Sequence, residues 1–383
     1  MQFIHSEEQQ LIRATARGFL AAYDPARVRA AMRAPGGFDA DLWQQLSGEL
    51  GWCGLAVPEA YGGAGLGWVE LCLLQEEQGR RLVASPFFGT VALAAPLIQA
   101  AGTEAQRAGW LKRIASGGVR IACALSGEQG HPPPQGAAVT LDTHTGRFVL
   151  NGVSDFVIHA EGADAFLVLA RGPQAGALSL VVLPASTRGI TLEPHVMLDL
   201  TRPMARLSFQ DAPVAAEQVL GAPGAAAAAA ERGLNLALIA LAAEALGGAE
   251  RVLEMTTEYV KQRVQFGRPV GSFQAVKHRL ADMMVQVEAA KSAAWYAACV
   301  ADEASEELAE AAAIAKSYCC DAFFDCAANA IQLHGGIGFT WEHEAHLYFK
   351  RARASATLLG SPAWQRERLM RVLGADAAAA PVY

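Results

Sequence analysis

Charge is scarce in this 383-residue chain: Asp, Glu, Lys and Arg make up 18% of it, against 52% hydrophobic residues. That balance excludes disorder as a description of the whole, because a disordered chain needs much charge and few apolar side chains. Basic tracts are lacking too. With a net charge of −7 and no dense Lys/Arg run to offset it, neither nucleic acid nor an anionic membrane is an expected partner. Long apolar runs are absent: the longest alanine stretch, Ala225 to Ala230, is too short and too weakly apolar to insert into a bilayer. The opening MQFIHSEEQQLIRATARGFL reads as an amphipathic helix with acids in its first turn rather than a signal peptide. Seven cysteines (Cys53, Cys72, Cys123, Cys299, Cys319, Cys320, Cys326) form an odd set without paired metal spacing. Reduced, buried thiols in a cytoplasmic protein are therefore expected, with adjacent Cys319 and Cys320 pointing apart on a helix.

What the sequence does contain is apolar side chain enough for two or three packed domains, with a surplus suited to burial between subunits. Residues 1–118 read as helical, since apolar positions recur at steps of three and four in EQQLIRATARGFLAAY and in VELCLLQEEQGRRL. Between these, GWCGLAVPEAYGGAGLGWVE is a turn-rich connector forced by Pro58 and its glycines. Over residues 119–223 the period becomes two, in the runs IACALSG, AAVTLDT, RFVLNGVSDFVI, DAFLVLAR, LSLVVLPA and ARLSFQDAPV, which predicts a small antiparallel barrel or sandwich. After the GAPGAAAAAA linker, helical patterning resumes over residues 228–374. LNLALIALAAEALGGAERVLEMTTEYVKQRVQF is apolar nearly all round, as a helix buried in a bundle should be. The expected fold class is α+β and multidomain: an N-terminal helical domain, a middle β-domain and a C-terminal four-helix bundle.

Three segments bear on chemistry. In Arg263-Val-Gln-Phe-Gly-Arg-Pro-Val-Gly-Ser-Phe-Gln274, a guanidinium at a helix end suits a phosphate, which Arg engages through two parallel hydrogen bonds. Phe266 offers an aromatic face, and Gln274 a polar contact to a ring edge or phosphate. In Gln332-Leu-His-Gly335-Gly336-Ile-Gly338, the glycines let backbone N–H groups approach a ligand closely. In the β-region, Ser126 and Phe156 could frame a planar ring. Taken singly, each segment has a plainer reading that spacing alone favours: a capped helical hairpin with a solvated Arg, an interhelical turn, and ordinary turn and core residues. His343 and His346, flanked by Glu342 and Glu344, lack the helical HExxH spacing, so no metal site is expected there.

Together, and in this order, these segments resemble the acyl-CoA dehydrogenase family across essentially the whole chain. GWCGLAVPEAYGGAGL is similar to an N-terminal family signature; RVQFGRPVGSFQAVKHRLADM and QLHGGIGFTWEHEAHLYFKR are similar to two C-terminal ones. The resemblance implies FAD lying between the β-domain and the bundles of two subunits, an acyl-CoA thioester as substrate, and an electron-transfer flavoprotein-type acceptor. It implies that Arg263 and Phe266 hold the flavin's diphosphate and ring. Gln274, Gln332, Gly335 and Gly336 match residues reaching the cofactor from the neighbouring subunit. Ser126 stands where the family has a Thr hydroxyl, Phe156 where it has a Trp, and Ile158 where it has a hydroxyl residue.

The departures from the family pattern are chemical. An α-C–H beside a thioester is a weak acid, so its removal needs a positioned carboxylate. By register from Lys350 and Arg351, the family's usual glutamate position is Leu359; by register from Arg263, the alternative position is Ala237. Glu244 lies about 10 Å further along the same helix and reads as a helix-surface or interhelical polar residue, not a base. Glu128 and Asp155 match no base position. Three consecutive prolines after His131 stiffen the loop that contacts the CoA arm in the family. These losses resemble the shorter partner in paired-subunit acyl-CoA dehydrogenases. The expected assembly is an α2β2 complex with a homologous base-bearing subunit, the alternatives being a homo-oligomeric flavoprotein with base-independent chemistry or a structural subunit that has lost FAD.

Overall fold

The computed structural model describes residues 4–144, 147–303 and 305–374. In chain order, helices α1 (Glu7–Leu20), α2 (Pro25–Ala31), α3 (Ala40–Gln44), α4 (Trp68–Arg80), α5 (Ala95–Ala101) and α6 (Glu104–Ala115) come first. Seven strands follow: β1 (Ile121–Ala124), β2 (Val139–His144), β3 (Arg147–Ile158), β4 (Ala165–Arg171), β5 (Leu178–Pro184), β6 (Ile190–Pro194) and β7 (Met204–Val214). Then come α7 (Ala227–Gln262), the hairpin strands β8 (Val264–Gln265) and β9 (Arg268–Pro269), and helices α8 (Gln274–Asp302), α9 (Leu308–His334), α10 (Ala345–Thr357) and α11 (Pro362–Val372). None of the helices among the described residues is long and apolar enough to cross a membrane.

The compact units do not follow chain order. One comprises residues up to Pro25, Cys72–Val83, and residues from Leu238 onward; the other comprises Ala26–Leu71 and Ala84–Ala237. In the first, α1 and the body of α4 pack on the helices of the C-terminal bundle. Two glycines explain how closely α4 meets α7. A Cβ built on Gly79 would lie 2.0 Å from the carbonyl oxygen of Glu244, and one on Gly247 would lie 1.8 Å from that of Glu76. Only hydrogen at both positions allows these backbones to touch. Around this crossing Arg13 pairs with Glu76, Arg17 with Glu77 at 2.7 Å, and Arg80 with Glu250 at 3.0 Å and Glu254 at 2.6 Å.

In the second unit the strand order is β1-β4-β2-β3-β7-β6, with β5 also paired to β4. The expectation of an antiparallel sheet needs correction, because β1 and the first residues of β2 both pair with β4 in parallel. Long connections lead from β1 and β2 to β4, and such connections permit parallel pairing where tight hairpins do not. The inward faces of Leu150, Val157, Phe166, Val168, Val181 and Leu207 form the core of the sheet. β6 was not foreseen: it is a half-exposed strand of five residues, too short and too wet for a clear alternation. The long helix α7 also differs at both ends. It starts inside the alanine run, alanine being the best helix former, and stops at Gln262 rather than reaching Phe266. Phe266 and Gly267 have φ of 53° and 76°, the paired left-handed residues of a two-residue hairpin turn.

All seven cysteines are free and buried. The thiols of Cys319 and Cys320 point apart, towards the carbonyls of Ala290 and Ser355, and burial pushes their acidity, like that of Cys326, well down.

Candidate active site

Within the first unit, the end of α7, the start of α8 and the end of α9 surround a groove of about 440 Å³. Arg263, just past α7, holds the hairpin by accepting a 2.8 Å bond from the Val270 N–H on its carbonyl. Its guanidinium has no carboxylate partner among the described residues and faces the groove, together with Gln332, Gly335 and Gly336. Arg279 lines the same groove and donates to the Asn329 amide oxygen at 3.2 Å, with no carboxylate partner among the described residues. A Cβ on Gly335 or Gly336 would meet nothing within 4 Å, so the missing side chains leave open space beside backbone N–H groups. Two uncompensated guanidinium groups and a bare glycine turn make a donor-rich concavity for a diphosphate.

His334 closes the floor. Its Nδ1 lies 2.7 Å from the Ala330 carbonyl, its ring stacks on Tyr259 at 4.3 Å, and its Nε2 is buried without a partner. Nδ1 must carry the proton and donate it to that carbonyl, which leaves Nε2 as an acceptor. Burial, with His343 beside it, holds the imidazole below its ordinary pKa and so neutral. Phe266 and Gln274 lie outside the groove. Phe266 is 91% exposed at the hairpin tip, edge-on to Phe273 at 6.1 Å, and Gln274 is the exposed first residue of α8. Sequence reasoning missed Arg279, although it sits three and four residues after Val276 and Ala275, which line the same groove; that helical spacing was the available signal.

In the second unit, Ser126 follows β1, and its carbonyl accepts a 2.8 Å bond from the Ser154 hydroxyl on β3. The β3–β7 register slips between Ser154 and Val157, and Phe156 takes a φ of 55° there. Its ring is 38% exposed and stacks on His195 at 5.0 Å. Asp155 beside it is fully engaged. It accepts from Arg206 Nε and Nη2, both at 2.8 Å, from the Gln129 N–H at 3.0 Å, and contacts His195 Nε2 at 3.2 Å. Arg206 above all holds this carboxyl below the usual carboxylate range. Such a group anchors a loop; it is a poor proton acceptor.

Leu359 stands in the turn between α10 and α11 with a φ of 57° and a buried side chain. The turn is tied down from two sides. The buried Lys316 ammonium donates to the carbonyls of Ser355 at 2.9 Å and Ala356 at 3.2 Å, and the Gln365 amide donates to that of Leu359 at 3.0 Å. Ala237 is wholly buried in α7. Glu244 accepts a 2.8 Å bond from Arg351 Nη1, with both side chains at most 6% exposed. This carboxylate bridges helices, the second of the helix-surface and interhelical roles open to it from the sequence.

Residues 6–118 match the acyl-CoA dehydrogenase N-terminal domain, and residues 216–374 match the acyl-CoA dehydrogenase C-terminal domain. Acyl-CoA dehydrogenase IpdE2 of Mycobacterium tuberculosis is 38% identical over 367 residues, covering 96% of each chain. The chain belongs to the acyl-CoA dehydrogenase family. Acyl-CoA dehydrogenases are oxidoreductases acting on CH–CH groups, and relatives in the family bind FAD. Two solved structures of the family share this fold. The ChsE4–ChsE5 complex from Mycobacterium tuberculosis superposes with a TM-score of 0.89 at 29% identity, covering 99% of this chain and 100% of that one. A glutaryl-CoA dehydrogenase from Mycobacterium smegmatis in complex with FADH2 superposes with a TM-score of 0.88 at 23% identity, covering 98% and 97%.

Proposed function

We propose that this acyl-CoA dehydrogenase is the subunit without its own catalytic base, working beside a homologous base-bearing subunit in a hetero-oligomer that desaturates an acyl-CoA thioester. The observation that carries this reading is the state of the candidate base positions. Leu359 and Ala237 are hydrocarbon, and Glu244, seven residues along the same helix from Ala237, is sealed against Arg351. A carboxylate already holding a buried guanidinium loses that pairing on accepting a proton, at a cost of several kcal/mol. Neither position expected to carry the base therefore holds a group able to take the α-proton.

The donors of the first unit fit FAD. Arg263, Arg279 and the backbone at Gly335 and Gly336 would hold its diphosphate, and because these groups share one groove with Gln332, we assign them to the same flavin. Phe266 and Gln274, outside the groove, remain proposed contacts to the flavin's ring or edge, and Ser126 and Phe156 of the second unit to the isoalloxazine. When bound, the flavin supplies hydride acceptance from the β-carbon. Electrons then pass to an electron-transfer flavoprotein-type acceptor. The pairing of two named components in the ChsE4–ChsE5 complex supports an assembly of two kinds of subunit.

The test is to purify the chain alone and with its candidate partner, record the visible spectrum, and follow acyl-CoA oxidation. Flavin absorbance with turnover only in the complex is expected, and Leu359→Glu should give the lone chain measurable oxidation. Full turnover by the unaltered lone chain excludes the proposal.

A further inference from the structure

The second unit holds a cavity that the reading above does not use. About 660 Å³ in volume, it opens between the N-terminal end of α7, α5, α6 and the start of α4, well within the range of ~300–1,000 Å³ typical of small-molecule sites. Its floor is hydrocarbon: Val57, Leu71, Val91, Leu111 and Leu236 are all buried. Alanines of α5 and of the first turns of α7 form much of the wall, and their methyl groups are too short to fill the space.

Two polar groups stand at the mouth. Arg232 is exposed there and has no acidic partner among the described residues. Gln99 lines the same opening, and its amide oxygen is buried without a hydrogen-bond partner. The cavity is separate from the position where the family resemblance places an alternative base. Ala228, Ala229, Arg232 and Leu236 share one face of α7, whereas Ala237 lies about 130° round the helix from the centre of that face at 3.6 residues per turn.

We propose that this cavity is a second ligand site, for an aliphatic monocarboxylate whose chain fills the apolar floor and whose carboxylate meets Arg232. The guanidinium matches a carboxylate in charge and geometry. Arg232 is the only charged side chain in the lining, so the walls offer nothing to a second charge.

Calorimetric titration of the full chain with decanoate tests this. Saturable one-site binding is expected, with decyltrimethylammonium bound at least tenfold more weakly. Arg232→Gln, at an exposed position that leaves the fold intact, should weaken decanoate about tenfold, the worth of one charged hydrogen bond. Ala229→Trp should abolish binding by filling the cavity. Independently of any variant, a photoreactive decanoate analogue should label peptides spanning residues 52–71 and 95–111. Absence of saturable binding, equal affinity for the ammonium probe, indifference to Arg232→Gln, or labelling around Ala237 and Leu241 instead would each overturn the proposal.

Discussion

Glu244 and Arg351 show how burial decides what a carboxylate can do. In water the pair would be worth little; with both side chains nearly inaccessible, removing one partner leaves an uncompensated charge in a low-dielectric core. Arg351→Met should therefore destabilise the protein by about 3–5 kcal/mol, while the double change Glu244→Leu with Arg351→Met should recover most of that loss. Urea unfolding of the three proteins measures both. If the single change cost less than 1 kcal/mol, Glu244 would have to reach solvent and would return as a candidate base. At this scale the sequence was informative about type and silent about pairing. That Leu and Ala stand at the two positions where the family resemblance places a base was legible from register. The guanidinium that occupies Glu244 lies 107 residues away, and Arg206, which holds Asp155, is 51 residues away; separations of that size are set by the fold.

Between elements, the α1–α4–α7 crossing concentrates carboxylates. Burial, then the neighbouring Glu250, pushes the Glu76 carboxyl up from 4.5 to about 8, with Arg13 opposing. Since the folded-state pKa exceeds the unfolded one, the folded protein binds the extra proton between these values. The stabilising contribution is complete below about pH 4.5 and is lost as pH rises through about 8. Thermal midpoints should fall across this window, and Glu76→Gln, which cannot titrate, should flatten the dependence; a Glu76→Gln profile as steep as the parent's would remove Glu76 as its cause. The helices themselves were readable because periods of three and four persist over many turns. The parallel pairing of β1 and β2 with β4 was not, since alternation of side chains is the same in either direction. The hairpin at Phe266 was hidden because Val264 and Phe266 extended the apolar pattern of α7 by a few residues, although Gly267 carried a turn signal.

For the whole molecule, the proposed cofactor contacts come together in a groove built by three separate helices of the bundle. Arg263→Gln removes a guanidinium that no acid in the described structure neutralises, and it should weaken FAD retention in the assembled complex by at least tenfold. Flavin released on gel filtration, read as the ratio of absorbance at 450 to that at 280 nm, provides the check; unchanged retention would take Arg263 out of the binding set. Family resemblance alone linked Arg263 with Gln332, Gly335 and Gly336, the last three as contacts from the neighbouring subunit, because residues 69 or more apart carry no spacing signal; the structure sets all four around one groove of a single chain. The structure then added Arg279 and His334 to the same groove.

The Lys316 clamp has a further consequence. An ammonium buried solely to hold the carbonyls at the end of α10 keeps the turn at Leu359 in shape, although that turn now presents only hydrocarbon. On the proposed reading, a glutamate placed at position 359 would enter a turn already held in shape by its neighbours, and no rebuilding of the backbone would be needed.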